Sequence, residues 1–302
     1  MAIKKLDEII EAVKIGTKPT LIAVSANDEH TISAVNQAVK LGLINAVLVG
    51  DLHKISQIFE QEKIDLSSYI IVDEPDDRLA AVCAVELINK GEGNLLMKGL
   101  ISTDKFIKAI LDKEKGLLFP GNILTHVTIV ENSNYHKLLI VSDVAILPQP
   151  ELSQKIQQIK YMADVCGAIG IKNPKVAVIA PSEQVLLMME SSKDAALLAK
   201  MNERGQIPNC IVDGPMALDV AIDSESADLK GVKSVVAGDA DCLLFPNLDS
   251  GNVFYKTNMK LAGAESAAIL TGAKVPVVLS SRGDSTRTKL YSIALAALLS
   301  KK

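Results

Sequence analysis

The stretch that decides the fold is Val275-Pro276-Val277-Val278-Leu279, followed by Ser280-Ser281-Arg282-Gly283-Asp284-Ser285 and by residues 286–299. The first segment is a short apolar run that predicts a buried strand, and the second is a polar turn that contains glycine. In the third segment apolar residues recur at helical spacing, at Leu290, Ile293, Ala294, Ala297 and Leu298. The stretch therefore predicts a strand, a turn and a helix in direct succession.

The turn has two interpretations on its local pattern. Backbone N–H groups at the start of a helix attract anions, and an arginine such as Arg282 can bind phosphate through two parallel hydrogen bonds. The same pattern is typical of an ordinary helix start that is capped by Ser281, Asp284 or Ser285, with the arginine in solvent. Both interpretations stay open at this point.

The composition is that of a folded protein with room for two domains. The chain has 302 residues, of which 48% are hydrophobic and 23% charged. A net charge of -4, an aromatic content of 3% and the absence of Trp argue against a nucleic-acid partner, which needs a basic face and stacking side chains. Since neither a signal peptide nor a long apolar run is visible, we expect a cytoplasmic protein without membrane contact.

The cysteines are expected to be buried thiols. Each lies alone among small or apolar neighbours, and no CxxC pair occurs; the four are Cys83, Cys166, Cys210 and Cys242. This pattern favours a reducing compartment over disulfides, a zinc site or a redox pair.

Predicted strands and helices alternate along the chain. Strands are predicted at 20–25, 45–49, 69–72, 94–98, 175–179, 209–212, 234–237 and 242–245. Helices are predicted at 6–15, 30–41, 51–62, 76–89, 105–111, 151–167, 182–201, 218–222 and 252–261. The alternation predicts an α/β fold with mainly parallel sheets and helices on both faces.

One region interrupts the alternation. Residues 125–130 and 137–141 read as two strands without an intervening helix, and they predict a hairpin. Ser142-Asp143-Val144-Ala145 ends the second of these strands, and Pro148-Gln149-Pro150 follows as a stiff connection. We expect a domain hinge at these prolines.

A second candidate site follows the fourth predicted strand. Gly99-Leu100-Ile101-Ser102-Thr103-Asp104 leads from this strand into a helix. Ligands of α/β sheets collect beyond the carboxyl ends of strands, where glycine lets the backbone approach and hydroxyl groups supply hydrogen bonds. Ser102 and Thr103 are therefore candidate substrate contacts, although an ordinary helix cap would look the same.

Other chemical patterns are weak. Asp219 and Asp223 fall one helical turn apart, a spacing that suits a divalent metal or, more commonly, a solvated face. The four histidines show no metal-ligand spacing, and neither a GxGxxG nor a GxxxxGK[ST] motif occurs where a nucleotide site would need it. The residues alone predict only a two-domain α/β protein that binds a phosphorylated small molecule.

Five stretches resemble the phosphate acetyl/butyryl transferase family, most closely its butyryltransferase branch. The resemblance spans essentially the whole chain, and the longest of the five stretches is the most specific. The five are Leu96 to Thr103, Ser142 to Ala145, Asp213 to Asp219, Val236 to Lys256 and Ser281-Arg282. The resemblance implies a fold like that of isocitrate and isopropylmalate dehydrogenases, with a cleft between residues 1–146 plus 273–302 and residues 147–272. It also implies a homodimer or a higher homo-oligomer.

The resemblance implies a reversible reaction, in which acyl-CoA and orthophosphate give acyl phosphate and CoA. Both substrates are expected to bind together, so that the thiol attacks the acyl phosphate directly and CoA is a substrate rather than a tightly bound cofactor. Arg282 would hold phosphate or stabilise the transition state, and Ser281 would hydrogen-bond the reacting group. The family implies substrate contacts from five further residues: Ser102, Thr103, Asn252, Lys256 and Lys260. No metal is expected.

The chain departs from the family at the position of the proton acceptor. The acetyltransferase branch has an Asp beyond its Ser-Arg pair, whereas this chain has Thr288 at that position. Asp284 and Asp143 are the candidate bases here, and Asp284 is also a candidate helix cap. Lys260 stands where that branch has an arginine, which keeps the charge but loses bidentate geometry.

Three alternatives to a butyryl-specific enzyme stay open. The first is a phosphate acetyltransferase that uses acetyl-CoA. The second is a metal- and nicotinamide-dependent dehydrogenase of the same fold, suggested by Asp219 and Asp223. The third is a CoA-binding protein without catalysis, suggested by Thr288.

Overall fold

The structure, a computed structural model of the chain, describes residues 2–279 and 283–301. The chain forms two compact units, each with its own core. We call residues 6–124 and 267–302 the N-terminal unit, and residues 1–5 and 125–266 the central unit. Both are α/β units with mostly parallel strands flanked by helices, as the alternating pattern predicts.

The N-terminal unit has the strand order β3-β2-β1-β4-β11-β10. Its strands are β1 Thr20–Val24, β2 Asn45–Gly50, β3 Ile70–Asp73, β4 Leu95–Lys98, β10 Glu265–Thr271, which enters from the central unit, and β11 Val277–Val278. Its helices are α1 Leu6–Val13, α2 Glu29–Lys40, α3 Leu52–Gln61, α4 Asp77–Asn89, α5 Thr103–Ile110 and α11 Thr286–Leu299. The strand pairs are parallel except for β10 with β11.

The central unit has the strand order β5-β6-β9-β7-β8. Its strands are β5 Thr125–Glu131, β6 Leu139–Ser142, β7 Lys175–Ile179, β8 Ile211–Met216 and β9 Cys242–Leu244. Its helices are α6 Leu152–Ala168, α7 Glu190–Glu203, α8 Leu218–Ile222, α9 Ser224–Leu229 and α10 Leu248–Lys260. Strands β5 and β6 form the predicted antiparallel hairpin, and the other pairs are parallel.

Helix α11 is the centre of the N-terminal unit. Every residue from 288 to 297 is buried, because α1 and α2 pack against this helix from outside while β4 and β11 lie beneath it. A helix that is buried on all sides needs no polar face, which explains its run of Ile, Leu and Ala. Strand β1 is equally apolar, since helices cover both faces of a parallel sheet.

Aspartates start three of the helices in the N-terminal unit. Asp28, Asp51 and Asp76 each accept backbone N–H bonds in the first turn of α2, α3 and α4. Such caps satisfy donors that have no partner inside the helix. The predicted helix start at Asp51 is therefore confirmed.

The main differences from the prediction concern five elements. Helix α7 begins only at Glu190, since residues 182–189 form a loop whose Gln184 carbonyl and Leu186 N–H bond to the Ser192 hydroxyl. Residues 234–237, predicted as a strand, form bends and turns. Helix α10 begins at Leu248, inside the predicted loop, because Asn247 caps it. Strand β10 and helix α9 were not predicted at all.

The unit boundaries also differ from the predicted domains, 1–146 plus 273–302 and 147–272. Residues 125–146 belong with the central unit. The reason is strand pairing, because β5 pairs with β6 and β6 pairs with β9. Among the described residues, none of the helices combines the length and the apolar character needed to cross a membrane.

Candidate functional site

The carboxyl ends of β1, β4 and β11 lie side by side in the N-terminal unit. The three strands are parallel neighbours, and β11 pairs with β4 by placing Val277 beside Leu96 and Val278 beside Met97. Ligands of parallel sheets bind at this edge. The chain leaves β4 towards Ser102 and leaves β11 towards Ser281 and Arg282. These last two residues lie outside the described part of the chain, so their roles stay predictions.

Ser102 and Thr103 lie at the start of α5, and both are exposed to solvent. Ser102 is the N-cap, and its hydroxyl oxygen accepts the Lys105 N–H at 3.4 Å. Thr103 is the first helical residue. The capping role is therefore present, and exposure leaves both side chains accessible to a ligand.

Sequence reasoning missed Ser25 and Lys98 at the same edge. Ser25 directly follows β1, is 1% exposed, and has φ of 49°. Its Oγ has no hydrogen-bond partner among the described residues. Lys98 ends β4 at 6% exposure, and its Nζ donates to the Gly99 carbonyl oxygen at 3.2 Å. The sequence feature that could have identified them is the polar residue at the end of each apolar strand.

Gly99 lets β1 and β4 approach each other at this edge. A Cβ on Gly99 would fall 2.6 Å from the Val24 carbonyl oxygen and closer still to that of Ser25. The Gly99 and Leu100 N–H groups donate to these same two oxygens. Glycine is thus required where the loop leaves the sheet.

The start of α11 carries Asp284. This residue is half-buried, and its backbone oxygen accepts the Lys289 ammonium at 3.3 Å. Ser285 is the N-cap, since its Oγ accepts the Thr288 N–H at 3.0 Å. Thr288, which stands where the resemblance expects a base, is 7% exposed and packs its hydroxyl against Ser285.

Asp143 lies at the carboxyl edge of the central unit, after β6, and is 2% exposed. Its carboxylate accepts hydrogen bonds from five donors among the described residues, at 2.6 to 3.3 Å. The donors are Thr125 Oγ1, His126 N, Ala145 N, Ile146 N and Leu147 N. This carboxylate organises the loop that follows it.

Helix α10 begins against this loop. Gly251 faces Asp143, and a Cβ there would overlap the Asp143 carbonyl oxygen. Asn252 Nδ2 donates to the Val144 carbonyl oxygen at 2.9 Å. Lys256 and Lys260 follow at intervals of four residues and are exposed, so the three side chains share one helix face.

A cavity of about 440 Å³ opens at the same edge of the central unit. The starts of α6, α7 and α10 line it, and the buried ion pair of Lys155 with Asp194, at 2.6 Å, forms part of its wall. Lys155 and Asp194 lie 39 residues apart in the chain, so no local pattern predicts them.

A groove of about 460 Å³ runs between α4 and α5 in the N-terminal unit. Val82, Val85 and Ala109 supply apolar surface. Cations surround this surface, namely Arg78, Lys105, Lys108 and Lys115. All three lysines also contact carboxylates: Lys105 contacts Asp77, Lys108 contacts Asp104, and Lys115 contacts Glu86.

The stretch around Asp239 lies at the other end of the central strands, before β9. Asp239 binds His136 Nε2 and Lys137 Nζ at 2.8 Å and Lys175 Nζ at 2.6 Å. Burial works against ionisation, but the bonds to Lys137, Lys175 and His136 outweigh it and hold the Asp239 pKa well below its ordinary value of 3.8. Asp239 thus ties together the starts of neighbouring strands.

The structure gives Asp219 and Asp223 separate partners. Asp219 pairs with Lys230 at 2.9 Å, and Asp223 caps α9 through the Ser226 N–H and hydroxyl. Throughout the described residues, no group of three or more His, Cys, Asp or Glu side chains could hold a metal ion.

Two of the four cysteines lie in contact, although they are 76 residues apart in the chain. Cys166 on α6 and Cys242 on β9 are fully buried, with their Sγ atoms 3.4 Å apart. Burial raises the pKa of Cys242, and it raises that of Cys210 to about 11. The Cys210 and Cys242 thiols are therefore poor nucleophiles at neutral pH.

The chain is similar to known proteins of one enzyme family. The family model described as phosphate acetyl/butaryl transferase matches residues 77–297. A branched-chain phosphotransacylase from Enterococcus faecalis shares the fold with a TM-score of 0.81 and 27% identity, covering 93% of this chain and 99% of that one. The chain therefore belongs to the phosphate acetyl/butyryl transferase family, and it is an enzyme.

Individual relatives within the family carry two names. The chain is 44% identical to a phosphate butyryltransferase from Clostridium acetobutylicum, over 98% of each chain. It is 41% identical to a phosphate acetyltransferase from Thermotoga maritima, over 97% of this chain and 99% of that one. Both relatives match along their whole length, which confirms the resemblance and does not favour the dehydrogenase alternative.

Proposed function

We propose that the protein is a phosphate butyryltransferase, which interconverts butyryl-CoA and orthophosphate with butyryl phosphate and CoA. The observation that carries the site assignment is the parallel pairing of β4 with β11. It brings the strand that leads to Ser102 beside the strand that leads to Ser281 and Arg282. The acetyl alternative has specific support too, because relatives with either name are nearly equally similar.

The chemistry is a direct attack of the CoA thiol on the acyl-phosphate carbonyl. The C–S bond forms, the C–O bond to phosphate breaks, and the thiol proton passes to a base. A thiol of pKa about 8.5 is mostly protonated at neutral pH, so a base accelerates the step. In this proposal Arg282 holds the departing phosphate and Ser281 bonds the reacting group, which lowers the energy of the developing charge.

Asp284 is the better candidate base of the two aspartates. Its half-buried position at the start of α11 leaves it near the carboxyl edge of β11. Asp143 already accepts bonds from five donors, and protonation would disrupt them. We therefore assign Asp143 the role of holding the loop that seats Asn252, rather than that of proton acceptor.

The groove between α4 and α5 suits the nucleotide end of CoA. Its volume lies within the range of small-molecule sites, and its apolar floor can take an adenine while lysines face phosphates. Lys108 is the most exposed of the three lysines that line the groove, since 77% of its side chain is exposed to solvent. We assign the groove to the phosphates of CoA, and the exposed Lys256 and Lys260 to further contacts with anionic substrate groups.

A test of the groove is Lys108→Gln. We expect KM for butyryl-CoA to rise about three- to ten-fold, because one charge-assisted contact is lost. The rate with butyryl-pantetheine, which lacks the nucleotide, should not change. Lys54→Gln on α3, another exposed lysine paired with an acid, is the matched control. An equal effect on both thioesters would remove the groove from CoA binding.

The proposed function is tested by mixing purified protein with butyryl-CoA and phosphate and following thiol release. Release that depends on phosphate and is fastest with butyryl-CoA supports the proposal. Faster release with acetyl-CoA or a branched acyl-CoA would reassign the acyl chain. No phosphate-dependent release with any donor from acetyl to valeryl would contradict acyl transfer and favour a non-catalytic CoA-binding protein.

Three broader features belong to the same proposal. We expect the chain to share the fold class of isocitrate and isopropylmalate dehydrogenases, to form a homodimer or a larger homo-oligomer, and to work in the cytoplasm without a tightly bound cofactor. The mostly parallel sheets flanked by helices and the return of β11 to the N-terminal unit support the first expectation. Mass measurement in solution tests the second.

A further inference from the structure

We infer that Ser25 and Lys98 form an anion pocket at the carboxyl edge of β1 and β4 and that this pocket binds the phosphoryl group of the substrate. The inference rests on the proposed function, because that reaction requires a bound phosphate or acyl phosphate. It assigns phosphate contacts to two residues that lie far in sequence from Ser281 and Arg282.

The two residues share one edge of one sheet. Val24 and Lys98 are register partners in the parallel pair of β1 with β4, so Ser25 and Lys98 occupy successive positions at adjacent strand ends. The close approach at Gly99 fixes the two backbones against each other. Pre-organised groups of this kind bind a ligand without first losing conformational freedom.

The hydroxyl of Ser25 points to a ligand. A buried hydroxyl without a hydrogen-bond partner is unfavourable, and such groups in native proteins call for an explanation. Ser25 Oγ is such a group among the described residues. A substrate oxygen at this position would accept its proton. Ser25 also holds a left-handed backbone, which non-glycine residues seldom adopt outside sites that require it.

Lys98 supplies positive charge. Its ammonium is largely removed from water at the end of a central strand, in contact with the Gly99 carbonyl oxygen. A charge in such low-dielectric surroundings interacts more strongly with an incoming anion than one on the surface. Lys289, 4% exposed in the first turns of α11, adds a second buried cation to the same unit.

A purely structural role makes a different prediction. If Ser25 and Lys98 only close their strands, replacing them changes stability and leaves phosphate binding alone. If they bind phosphate, Ser25→Ala leaves the stability of the ligand-free protein unchanged or higher, because the hydroxyl has no protein partner to lose among the described residues. The two roles are therefore separable by experiment.

The test uses the full chain with inorganic phosphate as the probe and chloride at equal ionic strength as its reference. Wild type should gain thermal stability with phosphate, and Ser25→Ala and Lys98→Met should lose most of that gain. In the thiol-release assay KM for phosphate should rise about ten-fold or more in each variant, while KM for the acyl-CoA changes by less than about two-fold.

Ser192→Ala is the control, since Ser192 is equally buried but its hydroxyl donates to the Gln184 carbonyl oxygen. It should lower stability and leave KM for phosphate unchanged.

The outcomes separate this pocket from the proposed function. Ser25→Ala with a wild-type KM for phosphate and a wild-type thermal response overturns the pocket, even if Lys98→Met fails to fold. A wild-type protein that binds phosphate without turnover, and loses this binding in Ser25→Ala, supports the pocket and overturns the acyl transfer.

Discussion

Gly251 in the first turns of α10 lies directly against the backbone of Asp143, with no space for a side chain between them. Asn252 continues the contact by bonding the Val144 carbonyl oxygen. The Asp143 carboxylate in turn binds the N–H groups of residues 145–147. The helix and the loop after β6 are thus one structural unit at the carboxyl edge of the central sheet.

Gly251→Ala should destabilise the protein by about 1–3 kcal/mol, because the new methyl group overlaps the Asp143 carbonyl oxygen and the loop must move. Helix propensity alone would favour alanine by about 1 kcal/mol, so a loss of stability isolates the contact. Urea unfolding measures the change. Val253→Ala, at a position 65% exposed on the same helix, should cost far less. Equal stability of Gly251→Ala and wild type would contradict the close contact.

Arg282→Ala should lower kcat/KM by at least about 10²-fold, equivalent to about 2.7 kcal/mol, the loss typical of removing a donor that stabilises developing charge. Arg287→Ala is the neighbouring control, since Arg287 pairs with Asp7 at 3.4 Å and should affect the rate little. Steady-state thiol release decides the matter. A near-normal rate for Arg282→Ala would remove this residue from the mechanism.

Elements whose apolar residues are buried in the fold, such as α11, were predicted with accurate limits. The limits of α11 agree with the predicted 286–299, because Ser285 caps the start of the helix and its apolar residues are buried from 288 to 297. The start of α7 was predicted eight residues too early. Residues 185–189 form a continuous apolar run that favours burial, yet Leu187 and Met188 are 79% and 93% exposed. The pattern of apolar residues in a sequence does not show whether other parts of the fold pack against them.

The positions of the candidate residues at strand ends were predictable from the sequence, whereas their hydrogen-bond partners were not. Strand ends marked Ser102 and Asp143 as candidates, since polar residues follow apolar runs there. The donors that occupy Asp143 are mostly backbone N–H groups, which leave no trace in side-chain patterns. Ser25 was missed for a similar reason, because its hydroxyl has no hydrogen-bond partner among the described residues, and this follows from packing.

Asp239→Asn should lower stability at neutral pH and flatten the acid limb of the stability curve. The folded pKa of Asp239 lies below the ordinary 3.8, so this carboxylate stabilises the fold above about pH 4 and the stabilisation disappears as pH falls further. Thermal melting between pH 7 and pH 2 measures both effects. Asp228→Asn on α9 is a surface control. Parallel curves for wild type and Asp239→Asn would contradict a lowered pKa.

Asp284→Asn tests the proton acceptor in the direction that consumes acyl phosphate and CoA. If Asp284 is the base, kcat falls about 10²-fold or more at neutral pH, and the deficit shrinks as pH rises towards the thiol pKa of about 8.5, where thiolate forms without help. Stability should change little. Ser285→Ala is the structural control, because losing the α11 cap costs about 1 kcal/mol of stability without altering the pH profile.

Asp143→Asn provides the contrast to Asp284→Asn. An amide cannot accept all the bonds that the Asp143 carboxylate accepts, so stability should fall by about 1–3 kcal/mol together with activity. The remaining activity should keep the wild-type dependence on pH, because the base is still present. A pH-dependent deficit in Asp143→Asn and none in Asp284→Asn would reverse the assignment of the two aspartates.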